Sequence, residues 1–445
     1  MEQQAHKDKT APRVDQDPYN FTPSQVATTY AGSVSNEPYQ PSHGDPDGTE
    51  TKISTFSYQS DRDALKYLRE AHGRAINALS DHYFLPTDSD EWARLDKQHT
   101  AIILGMGGLY PAAEQVRAIL QPEPGVTKRI LDLGCGTGVW TLAMSLEHPH
   151  AEVIGVDLSP CPISADELPA NCRFEVDDIN LGLMHFENQF DIVHIRLVGS
   201  GIKDFRQTMG DIEGCLKPGG MVIWIDIDYD LYSHDTFTYT PVASELQPSG
   251  AWLQRPLYEM RRSAVLGGSD VHTMEKVLDE EGLWGRPLID PETQNASMYL
   301  PLGPWGKSDD PIEDQYLRYV GALMRQDITS GHRAVHPLLI RSGWTKETVN
   351  EWSDKADREL ASMKHEMSLR IRLAWGRRRL GPGKPAPPLP TAQLDDSNSP
   401  SRRYFPYFFI HDTKEESVRQ TANRNRDKLK EIPFHPKSAR TVEKK

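Results

Sequence analysis

Three groups of acids and one run of glycines carry the chemistry this sequence offers. The stretch Arg129 to Trp140 reads RILDLGCGTGVW, a short apolar strand holding Asp132 that runs into Gly134, Cys135, Gly136 and Gly138. Glycine accepts positive φ and lets a ligand approach backbone that any Cβ would keep away. The amides of such a loop, backed by a helix N-terminus, form a polar concave cradle. The loop has no lysine for a phosphate, and Asp132 sets a carboxylate where a cationic group would sit. A dinucleotide fingerprint would put its third glycine at 139, which is Val139. Asp157 ends a second apolar stretch, followed by Leu158, and a carboxylate there can accept from both hydroxyls of a ribose. A third stretch, from Cys172, closes on Asp177, Asp178 and Ile179. For proton transfer the candidates are His194, Asp226, Asp228, His234 and His272. Each suits a structural role better than a catalytic one, so no base is assigned.

The order of these groups resembles a known family. An acid followed by Gly134-x-Gly136-x-Gly138 is similar to the first motif of class I S-adenosylmethionine-dependent methyltransferases. Asp157-Leu158-Ser159-Pro160 resembles their second motif, and Lys217-Pro218-Gly219-Gly220 their usual entry to the fifth strand. Phe190-Asp191-Ile192-Val193-His194-Ile195-Arg196 and Ser200-Gly201-Ile202-Lys203-Asp204 resemble the fungal LaeA-like group. So does Glu91 to His99, with Tyr83-Phe84-Leu85-Pro86 before it. The chain departs from that group at Phe205, where tryptophan usually stands, and in both tails.

What the resemblance implies is a methyltransferase using S-adenosyl-L-methionine; no metal is expected, because no cluster with ligand spacing appears in the sequence. Asp132 and Gly134 to Gly138 would lie under methionine and ribose, and Asp157 at the ribose. Adenine would be held at Asp178 and Ile179, with Asp177 as the open alternative, and His194 would lie in the same site. Arg94, Gln98 and His99 of the cap would reach the cofactor or serve as ordinary helix surface. The acceptor is a small molecule of secondary metabolism or a protein. The alternatives are a LaeA-like regulator working with a protein partner in a nuclear complex, and a non-catalytic cofactor-binding scaffold.

Positioning such residues takes an open α/β sheet, whose ligands bind beyond the strands' carboxyl ends. The expected fold is a Rossmann-like, seven-stranded class I methyltransferase sheet, with a helical N-terminal cap and a helical insertion before the last strand. Strands are expected at Arg129 to Leu133, Glu152 to Asp157, from Cys172, from Phe190, Met221 to Ile227 and Ala296 to Leu300. The seventh, Leu369 to Trp375, alternates with Arg370 and Arg372 and reads as a half-exposed antiparallel strand beside the fifth. Helical spacing at Ala64, Leu65, Leu68, Ala71, Ala75 and Leu79 predicts one cap helix, and Asp88-Ser89-Asp90 opens another. Further helices are expected at Tyr258 to Leu266, Thr273 to Leu283, Ile312 to Met324 and Val349 to Met363.

The chain has 445 residues, 37% of them hydrophobic, with a net charge of −14. The acidic balance argues against a general nucleic-acid or anionic-membrane surface. Four cysteines without C-x-x-C spacing read as reduced thiols, and no apolar run reaches transmembrane length. The expected location is the cytoplasm, with the nucleus as the alternative: Arg377-Arg378-Arg379 is a weak import signal that reads better as end-of-strand charge. Residues 1–57 are expected to be a disordered tail and 58–380 the methyltransferase domain. That domain divides into a cap (58–125), a cofactor-binding core (126–228) and substrate-side elements (229–380). Residues 381–445 form a proline-rich linker and tail, interrupted by the apolar run Tyr404 to Ile410, which docks on the domain or a partner or lies exposed.

Overall fold

A computed structural model describes residues 66–81, 83–244, 248–271, 286–290, 294–390 and 405–411. The N-terminal tail, the helix expected at Thr273 to Leu283, His272, Tyr404 and the end of the chain lie outside the described residues.

Where helical spacing predicts one helix from Ala64 to Leu79, the described residues from Leu68 to Asn77 form a hairpin, and Ala64 and Leu65 lie outside the described residues. Strands β1 (Leu68–Ala71) and β2 (Arg74–Asn77) pair antiparallel, with Ala71 opposite Arg74. The two residues between them, His72 and Gly73, have φ of 54° and 80°. Positive φ at both central positions makes a tight turn matched to strand twist, and it stops a helix. Arg74 then grips Asp88 through two hydrogen bonds of 2.6 and 2.8 Å. Asp88 in turn caps helix α1 (Ser89–Met106), accepting from the Glu91 amide. The short helix α2 (Ala113–Ile119) follows.

The central sheet is built from β3 (Lys128–Leu133), β4 (Ala151–Asp157), β5 (Cys172–Val176), β6 (Phe190–Arg196), β7 (Leu216–Ser233), β8 (Gln294–Pro301), β9 (Met367–Arg377) and β10 (Phe408–His411). Their order across the sheet is β5-β4-β3-β6-β7-β9-β8-β10. The first five run parallel, and β9 lies antiparallel between β7 and β8. This is the expected seven-strand arrangement with one further edge strand. Parallel strands here are covered on both faces, so successive residues are buried: Ile130 joins one core and Leu131 the other. Helices α1, α2, α3 (Val139–Glu147), α6 (Pro311–Ala334) and α8 (Lys346–Ser362) contribute to the first core. Helix α4 (Phe205–Cys215) contributes to the second, and α5 (Gln254–Leu266) and α7 (His336–Arg341) enclose a third small cluster around Tyr229 and Leu339. No helix among the described residues is long and apolar enough to cross a membrane.

Two expectations near the end of the chain are corrected. Strand β9 is buried on both faces, and Arg370 and Arg372 are 2% and 0% exposed. Arg370 pairs with Asp228 and lies 4.5 Å over the Tyr232 ring, so the period of two marks opposite faces of a covered strand. Two of the three arginines in the triplet are likewise engaged. Arg377 donates to Pro387 O and Gly219 O, and Arg378 donates to Leu216 O. Residues 381–390 therefore run against the sheet end, with Pro387 beside Gly219, and are no free linker.

The apolar run at the end docks on the domain itself. Phe405 is buried, β10 pairs with β8, and Tyr407 and Phe408 pack on the main core. Removing residues 391–445 is expected to lower the melting temperature substantially. Emptying the Phe405 site alone is comparable to a core phenylalanine truncation, about 3–5 kcal/mol. A truncated protein that melts with the full chain would show that β10 contributes nothing.

Candidate functional site

The carboxyl ends of β3, β4, β5 and β6 surround an open cleft. Helix α1 and the turn before it close it from above with Tyr83, Leu95, Gln98, His99 and Ile102.

The glycine loop forms the floor. The amides of Gly134 and Cys135 both donate to Val156 O, at 2.8 and 3.0 Å, which clamps the loop to β4. Gly134, Gly136 and Gly138 have φ of 73°, 56° and 76°, a region costly for a residue with a Cβ. Their surroundings differ. A Cβ on Gly134 would fall onto Val198, and one on Gly138 would meet Phe174 and Cys161 at 2.5 and 2.6 Å. On Gly136 it would find only Leu95, at 3.7 Å, because this glycine faces the cleft. Two of the glycines permit packing, and one leaves room for a ligand.

Asp157 stands at the rim beside them. One oxygen accepts from the Gly136 amide at 2.9 Å and the other from Ser159 at 3.0 Å. Burial pushes this carboxyl up, while the amides of Ser159, Gly136 and Leu158 pull it back. The carboxylate is held in one orientation toward the cleft, with lone pairs left for further donors. Leu158 lines the same wall.

At the end of β5 the structure separates two adjacent acids. Asp177 lines the cleft with Ile179 and Asn180. Asp178, the residue favoured from sequence, turns away. It accepts from Asn180 N and Nδ2 at 3.0 and 2.7 Å, capping a one-turn 3₁₀ helix.

Asp132 and His194 do not reach the cleft either. Asp132 is 2% exposed, and its oxygens accept from Thr141 Oγ1 at 2.6 Å and meet His194 Nδ1 at 2.7 Å. The His194 ring stacks on Trp140 at 3.7 Å. These four side chains lock β3, β6 and α3 together beneath the loop. The other base candidates also lie elsewhere. Asp226 accepts from Gly199 N, Asp228 pairs with Arg370, and His234 meets Ser368 Oγ within a ring of aromatics. None of the three lines the cleft.

Of the cap residues, Gln98 and His99 reach the cleft while Arg94 is committed elsewhere. Arg94 donates to both Glu91 oxygens and to Asp327 Oδ1 at 2.7 Å, joining α1 to α6. Sequence reasoning gave no site role to Tyr83, Asn180 or, above all, Arg196, all of which line the cleft. The signals for Arg196 were its place at the end of a family-like segment and a cation closing a strand, a position that falls at a strand's carboxyl end.

Comparison with known proteins agrees with this geometry. Residues 125–268 match a family described as a methyltransferase domain. The secondary metabolism regulator laeA of Coprinopsis cinerea is 32% identical over 70% of this chain and 74% of its own. Methyltransferase pytC of Aspergillus terreus is 29% identical over 68% of this chain and 83% of its own. A protein-methionine methyltransferase laeA of Emericella nidulans is 25% identical over 75% and 80%. With a regulator of that identity matched along three quarters of its length, and the sheet order in agreement, the chain belongs to the LaeA-like methyltransferase family.

Proposed function

We propose that this protein binds S-adenosylmethionine in the cleft and transfers its methyl group to an acceptor in secondary metabolism. The observation that carries this is Asp157, fixed by two amides and facing a cleft whose floor is the bare backbone of Gly136. Asp157 would accept from the ribose hydroxyls, and Asp177 with the Ile179 and Asn180 segment would hold the adenine. Leu95, Ile102, Leu197 and Val198 would keep water from the reacting end.

When bound, the cofactor supplies a methyl group already activated on a sulfonium. The chain's part is to align and to exclude water. Among the described lining residues no side chain stands ready to take a proton. His99 meets Arg196 through Nδ1, and Asp157 and Asp177 are taken up by ribose and adenine in this assignment. Burial pushes Tyr83 and Cys135 up, away from ionisation. This favours an acceptor atom with a lone pair and no proton to lose first, a thioether or a neutral amine. The relative named as a protein-methionine methyltransferase uses an acceptor of the first kind.

Calorimetric titration of the full chain tests the proposal. S-adenosylhomocysteine should bind with one site per chain, and a nicotinamide dinucleotide should not compete. Preference for the dinucleotide would sink the proposal.

A further inference from the structure

The cleft holds one cation that the assignments above leave unused. Arg196 is the last residue of β6 and lines the cleft next to the glycine loop. Its Nη2 lies 2.9 Å from His99 Nδ1, while its Nη1 is buried with no hydrogen-bond partner. Among the described residues it forms no ion pair, and no other arginine or lysine lines the cleft. Burial lowers Arg196 to about 10, the Asp132 carboxylate offsetting only part of that cost. His99 is pushed well below its usual value by burial first and by the Arg196 charge second, so it stays neutral. A neutral imidazole accepting through Nδ1 carries its proton on Nε2 and turns the guanidinium without cancelling its charge. A buried guanidinium nitrogen left with neither a hydrogen bond nor a direct ion pair is unfavourable, so the position calls for an anion.

The sheet supplies the spacing. Asp157 follows β4 and Arg196 ends β6, and β3 with its loop runs between them. Two strand intervals separate the two groups, on the order of 10 Å. A carboxylate at one end and a guanidinium at the other make the cleft bipolar. A ligand with hydroxyls at one end and an anion at the other would satisfy both.

We propose that Arg196, oriented by His99, anchors the carboxylate of the cofactor's amino-acid end and makes the site select the whole molecule over its nucleoside half. The inference rests on the cofactor assignment above. Guanidinium is suited to this role because its planar fork can donate twice to one carboxylate.

The test is calorimetric titration of the full chain with two ligands. S-adenosylhomocysteine carries the amino-acid end, and 5′-methylthioadenosine keeps the nucleoside thioether without it. The parent should prefer S-adenosylhomocysteine. Arg196→Gln should weaken that ligand by about 10- to 150-fold, the range for loss of a charge-assisted contact. Its affinity for 5′-methylthioadenosine should stay within about twofold of the parent, which also shows that the variant is folded. Arg196→Lys, keeping the charge but not the fork, should fall between. Unchanged S-adenosylhomocysteine binding by Arg196→Gln overturns the inference alone and assigns the cation to the methyl acceptor. Equal loss of both ligands overturns it in favour of a purely structural role. A parent that binds neither ligand overturns the cofactor assignment, and this inference with it.

Discussion

Asp157→Ala should weaken binding of S-adenosylhomocysteine by about two to four orders of magnitude, the equivalent of two charge-assisted hydrogen bonds at roughly 1.5–3 kcal/mol each. Part of the loss comes from the loop. The same carboxylate accepts from the Gly136 and Ser159 amides, so its removal frees the backbone that the ligand must approach. The fold should survive, because burial already disfavours this charge and removing it relieves a desolvated group. Gly136→Val should reach the same loss by another route. Its φ of 56° is strained for a branched residue, and the side chain would stand in the cleft. Both variants should keep a cooperative thermal transition and lose the rise in melting temperature that the ligand gives the parent. If Asp157→Ala binds as tightly as the parent, the ribose assignment is wrong.

The second large effect is on stability. Arg94→Ala would leave Glu91 and Asp327, 2% and 1% exposed, as facing carboxylates without a counter-charge. Breaking a buried pair in this way costs about 3–5 kcal/mol. For a domain of this size the melting temperature should fall by on the order of 10 °C. Replacing all three together, as Glu91→Gln, Arg94→Met and Asp327→Asn, should recover part of that loss by removing the buried charges altogether. Cofactor binding should weaken as well, since α1 carries Leu95, Gln98, His99 and Ile102 into the cleft. Thermal denaturation decides the matter, and an Arg94→Ala melting point within a degree or two of the parent would show that the network does not fix α1.

Much of the sheet could be read in advance because its information is local. Each parallel strand carries a stretch of apolar residues, and Gly134 to Gly138, Asp157 and the acids after β5 follow the strands in order. A strand buried on both faces leaves no other pattern to choose. The Asp88 cap and the Lys217-Pro218-Gly219-Gly220 turn are local in the same sense. The first cap segment failed for an equally local reason: His72 and Gly73 make a two-residue turn that outweighs apolar spacing suited to a helix.

Local residue order is enough to say which strand ends carry acids, that a bare-backbone loop lies among them, and that the cap bears polar residues. Tertiary structure alone decided which of these groups meet a ligand. Asp177 and Asp178 are neighbours of one kind, but Asp178 is taken by the Asn180 amides and Asp177 is left facing the cleft. Asp132 and His194 are withdrawn into the core by each other, Thr141 and Trp140. Arg94 is taken by Asp327, a partner 233 positions away, while Arg196 is left one nitrogen short of partners. A charged side chain goes where its counter-charge is, and burial makes that choice strict. Counter-charges so distant along the chain are brought together only by the fold.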